Sequence, residues 1–228
     1  ILSIVWVLAV GFIFTSNSGA SPAENIEVDE FSSVGIALDA RVFLEQGELH
    51  DLIIEASPEI LEQIHVEVKD GKLLLKSKNN KSDLKGNITI RIKAPDYESV
   101  SISGSANLVA EKAMNLKAVS FKIAGSGTMD FTQLSAKEVE IKIAGSGKVV
   151  LAGKGASQME VSVAGSGKVE AADFRVDEFK AKISGSGDCK VFAANNLQVS
   201  IAGSGSVSYK GEPKVNTSIA GSGKVKPI

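Results

Sequence analysis

Along the C-terminal two-thirds of the chain, apolar and polar positions alternate with a period of two, and the alternation recurs about every twenty residues. Seven segments anchor it: Ile102-Ser-Gly-Ser-Ala106, Ile123-Ala-Gly-Ser-Gly127, Ile143-Ala-Gly-Ser-Gly147, Val163-Ala-Gly-Ser-Gly167, Ile183-Ser-Gly-Ser-Gly187, Ile201-Ala-Gly-Ser-Gly205 and Ile219-Ala-Gly-Ser-Gly223. Their leading glycines lie 21, 20, 20, 20, 18 and 18 residues apart. Two residues before each glycine stands Ile or Val, and four before come Val100, Phe121, Ile141, Val161, Ala181, Val199 and Thr217. Between these two columns lie Lys122, Lys142, Ser162, Lys182, Ser200 and Ser218, so each segment reads as a strand with one buried face. Alternation resumes after the glycines in a third column, Leu108, Met129, Val149, Val169, Cys189, Val207 and Val225, and a fourth, from Ala110 to Tyr209. A fifth, six residues before each next glycine, holds Val119, Val139, Met159, Phe179, Leu197 and Val215.

This period is too short for two-helix repeats or propeller blades, and it predicts an all-β solenoid, a single-stranded parallel β-helix. One coil with five inward side chains cannot bury enough apolar surface to offset the entropy of ordering its backbone. Stacking coils at ~4.8 Å lets neighbours share hydrogen bonds and makes the array cooperative. Gly-Ser-Gly is the predicted corner, where glycine reaches positive φ and lets successive coils approach closely.

Residues 100–228 are thus expected to form seven coils, and residues 24–99 a strand-rich region capping the first. In that region Asp70-Gly71 sits between apolar runs and predicts a hairpin. Asn87 to Lys93 alternates as a strand, and Ser57-Pro58 predicts one helical turn with serine capping it. At the far end Lys224, Lys226 and Pro227 are expected to blunt the exposed strand edge.

Residues 1–23 carry a different pattern. Ile1 to Phe14 is uncharged and apolar, and Ser18 and Ala20 fall at the small positions of a signal-peptidase site, so a signal peptide or signal anchor and export to the periplasm, cell surface or medium are expected. A single cysteine, Cys189, leaves no internal disulfide, so stability must come from packing. With 25 Lys+Arg against 27 Asp+Glu and 5% aromatic residues, nucleic acid is not an expected partner, since neither a basic excess nor stacking platforms are present.

The chain resembles the bacterial envelope family known as the head GIN domain or putative auto-transporter adhesin. The resemblance rests on Phe31-Ser-Ser-Val34, the Val66-x-Val68-x-Asp70-Gly71-x-Leu73 hairpin, the Ile90-x-Ile92 approach to Pro95, and the Ser/Ala-Gly-Ser-Gly corners. It implies a right-handed parallel β-helix, exported, with an adhesin label and no catalytic residues to carry over.

Gly-Ser-Gly-Lys at 145, 165 and 221 lacks P-loop spacing, and each lysine is followed by Val rather than a magnesium-binding hydroxyl. Only Asp188 follows a corner glycine, so a calcium ladder is not expected. His50 and His65 are read as exposed strand or loop residues with no ligand spacing between them, and no metal or cofactor is expected. Asp130 and Glu170 fall two coils apart, about 9.6 Å, beyond the separations at which paired carboxylates usually cleave glycosidic bonds. Glu170 is expected to pair with Lys190 on the surface, and Cys189 to be a core thiol.

The remaining candidate is a row. Ser126, Ser146, Ser166, Ser186 and Ser204 would line one edge, either satisfying corner backbone groups or forming a repetitive hydrogen-bonding strip for a repetitive polymer, with Lys148 and Lys168 favouring an acidic one. The reading is a non-enzymatic adhesin binding polysaccharide or a cell-surface or extracellular protein. Its alternatives are a carbohydrate-active enzyme and a structural scaffold of the envelope.

Overall fold

A computed structural model describes residues 23–79, 84 and 86–228; the expected signal segment lies almost wholly outside them. The N-terminal elements are β1 (Ala23–Ile26), β2 (Ser33–Ala37), β3 (Arg41–Gln46), β4 (Asp51–Glu55), α1 (Pro58–Leu61), β5 (Ile64–Lys69), β6 (Lys72–Ser77), β7 (Thr89–Ala94), β8 (Ser99–Gly104) and β9 (Asn107–Ala110). The repeats follow as β10 (Met114–Gly125), β11 (Thr128–Gly145), β12 (Lys148–Gly165), β13 (Lys168–Gly185), β14 (Asp188–Gly203), β15 (Ser206–Lys210), β16 (Lys214–Gly221) and β17 (Lys224–Pro227).

The expected β-solenoid is present, and its repeats stack in register. Ile123 faces Ile143, then Val163, Ile183, Ile201 and Ile219, while Gly125 faces Gly145 and so on up the column, all in parallel ladders. From Val119 to Val207 the five apolar columns are buried and fill the tube, with Phe121 and Phe131 packed ring against ring at 4.4 Å. In the last described coil the same columns open: Val215 is 42% and Ile219 41% exposed, because among the described residues no strand covers β16 on its outer side. The expected blunting of this edge is therefore partial. Lys224, Lys226 and Pro227 stand outside on β17 while the inward column beside them is uncovered.

The coils shorten at one place. Ala171 and Arg175 of β13 face Val191 and Phe192 of β14, so three residues are missing between them, and one is regained before Asn196. This accounts for the change of spacing from 20 to 18. Arg175 lies over the Phe192 ring at 5.6 Å and covers the step.

The segment before the repeats both caps the tube and extends it, and it does so out of chain order. β2 lies between β6 and β8, and β3 between β7 and β9, all parallel. Val34 and Ile36 sit between Leu73 and Leu75 on one side and Val100 and Ile102 on the other, so these residues continue the buried columns. Capping comes from antiparallel strands: β4 pairs with β7, β1 with β4, and β5 with β6. The β5–β6 hairpin turns at Asp70 and Gly71, with φ of 50° and 70°, the pair of positive angles that a two-residue hairpin turn of this twist requires. The helical turn has Ser57 at its N-cap position and Pro58 within its first turn as expected, but the serine side chain makes no capping hydrogen bond. Tyr97, fully buried, donates its hydroxyl to the carbonyls of Glu45 and Ile92 at 2.9 and 3.2 Å and ties β3 to β7.

Candidate functional site

The two glycines of each corner serve different ends. The first takes a positive φ, 120° at Gly145, and a Cβ there would sit 2.5 Å from the Gly125 carbonyl oxygen of the coil beneath. The second has an ordinary φ; its missing side chain makes room for an isoleucine of the coil beneath, since a Cβ on Gly147 would lie 2.5 Å from Cγ2 of Ile123. The serine N–H of each corner is satisfied by backbone: those of Ser126, Ser146 and Ser166 donate to the Gly104, Gly125 and Gly145 carbonyls at 2.9 Å, and those of Ser186 and Ser204 do the same one and two coils on. The serine hydroxyls take no part in these bonds. All five side chains are exposed, in one row at one coil per step.

The lysines beside this row differ from one another. Lys148 is ion-paired with Glu170 at 3.1 Å, whereas Lys168 is exposed with no ion pair among the described residues. Glu170 does face Lys190 in register, yet its salt bridge is to Lys148, correcting the expected partner. Asp188, which interrupts the lysine column, accepts a 2.6 Å hydrogen bond from Ser206 of the next coil.

Asp130 and Glu170 stand two coils apart with Val150 between them, as the repeat alignment requires. One Asp130 oxygen is buried without a hydrogen-bond partner among the described residues. Cys189 is buried in its column, and burial, with a smaller push from Asp188, raises its thiol to about 12, so it is not a thiolate nucleophile. His50 is half-buried rather than exposed: its Nε2 lies 3.0 Å from the Phe31 carbonyl oxygen and its ring meets the Phe31 ring edge-on. His65 is also half-buried, 3.5 Å from Glu67. Among the described residues no three His, Cys, Asp or Glu side chains are grouped to hold a metal ion. No helix among the described residues is long and apolar enough to cross a membrane.

A second polar feature runs along the middle coils of the solenoid, from Asp96 to Gln198. Where the strands approach the fifth apolar column, the period-2 alternation breaks: Lys117 and Ala118 both face outward between buried Leu116 and Val119, and Lys137 and Glu138 do so before Val139. Repeated coil after coil, this bend leaves a groove of about 700 Å³ lined between its rims by Val119, Val139, Met159 and Phe179. One rim carries Glu138, Gln158, Glu178 and Asn196 in register, and the other Ser120, Glu140, Glu160, Lys180 and Gln198. The Glu140 carboxyl is held below its ordinary range by Lys142 and then by Ser120, which donates to it at 2.7 Å. Sequence reasoning passed over this groove. Its signal is the pair of polar columns flanking the fifth apolar one, visible only when successive coils are aligned and read across.

The fold now has its counterpart among known proteins. Residues 30–213 match the family described as putative auto-transporter adhesin, head GIN domain. The chain belongs to that family. A crystal structure of a putative adhesin from Bacteroides fragilis is similar to this head GIN domain protein with a TM-score of 0.81 at 25% identity, covering 90% of this chain and 96% of the other. Two Parabacteroides structures share the fold: a putative adhesin from P. merdae (TM-score 0.70, 23% identity, 92% and 97% covered) and a putative lipid binding protein from P. distasonis (0.73, 21%, 92% and 98%). No curated protein matches the chain.

Proposed function

We propose that this head GIN domain protein is an exported, non-catalytic binding protein of the bacterial surface or envelope, an adhesin for a repetitive polysaccharide or an extracellular protein. The observation that carries the reading is the exposed serine row. The same hydroxyl recurs once per coil from Ser126 to Ser204 on a rigid, hydrogen-bonded stack, and it takes no part in the corners' backbone bonds. A polymer with a regular repeat can meet such a row at several points at once, so that weak single contacts sum through effective concentration. Lys168 adds a positive charge beside the row with no ion-pair partner among the described residues, while Lys148 is held by Glu170. The apolar segment Ile1–Phe14 and the small residues after it supply the route of export. Membership of a family described by its adhesin character supports surface display.

The test is an array of bacterial and host polysaccharides and matrix proteins, read for binding and for polymer shortening in the same wells. Binding without shortening that is lost in Ser146→Ala/Ser166→Ala/Ser186→Ala is the expected result. Shortening of any polymer would refute the non-catalytic reading and turn attention to Asp130 and Glu170.

A further inference from the structure

We infer that the longitudinal groove is a second binding site, built for an extended, amine-bearing sugar polymer such as a partly de-N-acetylated hexosamine chain. Its rim alternates by coil: Glu138 carboxylate, Gln158 amide, Glu178 carboxylate, Asn196 amide, one per coil at ~4.8 Å. Like groups therefore recur at about 9.6 Å, every second coil. Sugar residues in an extended 1,4-linked chain advance by close to one coil spacing, so successive residues of such a chain would meet carboxylate and amide in turn. The amides donate and accept for hydroxyl and N-acetyl groups, and the carboxylates accept only, as ammonium groups require.

Charge complementarity selects the cation. On the opposite rim Glu140 is already satisfied by Lys142 and Ser120, and Glu160 is paired with Lys180 at 3.4 Å. Glu138 and Glu178 have no ion-pair partner among the described residues, and both are exposed at the rim. Asp96 and Glu98 line the groove's first end together with Lys117, so the lining carries six carboxylates against two lysines, Lys117 and Lys180. An acidic polymer, which the serine row with Lys168 would accept, is repelled here. The groove is also concave, so a chain lying in it is met from both rims.

The proposal rests on the binding-protein reading but on a different surface, and the two fail separately. Titration of the full chain with a glucosamine hexamer, an N-acetylglucosamine hexamer and a galacturonate hexamer is expected to show binding of the first, weaker binding of the second and none of the third at the groove. Affinity for the glucosamine series should rise with length up to four or five sugars, then level off, and should fall as salt is raised. Glu138→Gln/Glu178→Gln, isosteric changes at exposed positions, should weaken the glucosamine hexamer roughly tenfold or more while leaving the thermal midpoint unchanged. Ser146→Ala/Ser166→Ala should leave it unaffected. No binding of the glucosamine hexamer, equal binding of it by the Glu138/Glu178 variant, or galacturonate binding that is lost in that variant would each overturn the proposal. Loss of hexamer binding in the serine variant would overturn it too and assign the ligand to the corner edge instead.

Discussion

Replacing the first corner glycine by alanine separates two costs that the repeat normally combines. At Gly145 the φ of 120° belongs to a region that side-chain-bearing residues rarely enter, and the new Cβ would also meet the Gly125 carbonyl oxygen at 2.5 Å. Gly104, the first corner of the series, has nearly the same φ, 117°, but nothing within 4 Å of its would-be Cβ. Gly104→Ala therefore carries the conformational strain alone, about 1–3 kcal/mol. Gly145→Ala adds an overpacking cost of a further ~1–3 kcal/mol, and the obstacle is backbone that also accepts the Ser146 N–H at 2.9 Å, so it cannot step aside without losing a ladder bond. Urea unfolding followed by circular dichroism gives both values from the midpoint shift at constant slope. Gly145→Ala should lie below Gly104→Ala by at least ~1 kcal/mol. Equal losses would refute the claim that close approach between coils, rather than the turn angle alone, demands glycine there. A companion cycle sharpens the point: the cost of Gly147→Ala should shrink in an Ile123→Ala background, because its nearest obstacle is the Ile123 Cγ2, with the Gly127 carbonyl oxygen behind it at 3.0 Å, whereas the cost of Gly145→Ala should not.

Other outcomes follow from the same geometry. Ile143→Ala should cost about 2–5 kcal/mol and Ile219→Ala much less, although both open the same pentapeptide, because Ile143 is 2% and Ile219 41% exposed. Tyr97→Phe should lose about 1–2 kcal/mol by removing the hydroxyl that bridges Glu45 and Ile92, measured by the same urea titration. Cys189 should resist iodoacetamide in the native protein at neutral pH and react on unfolding. Because its proton is retained when folded up to about pH 12 but released near 9.0 when unfolded, its contribution is fully present below pH 9 and is lost as pH rises between those values, at up to about 1.4 kcal/mol per unit. Cys189→Ala should flatten that alkaline slope. A slope equal to that of the parent protein would show that the thiol is not the group titrating.

How much of this was legible beforehand depends on what each residue encodes. The coils were readable because a parallel stack repeats the same environment, so the side chain chosen at Ile123 is chosen again at Ile143 and Ile183. Burial and corner geometry act locally and identically at every level, and they leave a period in the chain. Asp70-Gly71 was readable for a similar reason, since a two-residue turn is decided by its own dihedral angles. The place of β2 and β3 was not. Val34, Ile36, Val42 and Leu44 alternate like any half-buried strand, but nothing local to them specifies that their partners are β6 and β7 on one side and β8 and β9 on the other. That choice is made by long-range hydrogen bonding, where each strand takes the free edge its neighbours leave. The ion pairs and the groove belong to the same class. Glu170 reaches Lys148 diagonally across coils rather than Lys190 beside it, and the Glu138–Asn196 rim exists only because a bend in every coil brings residues some twenty positions apart into line. The sequence by itself determined the repeat, the inward columns and the corners, because these answer to forces within a coil and its like neighbours. Tertiary structure alone decided the order of the first levels, the closed and open ends and the concave face, because those depend on which separate segments meet.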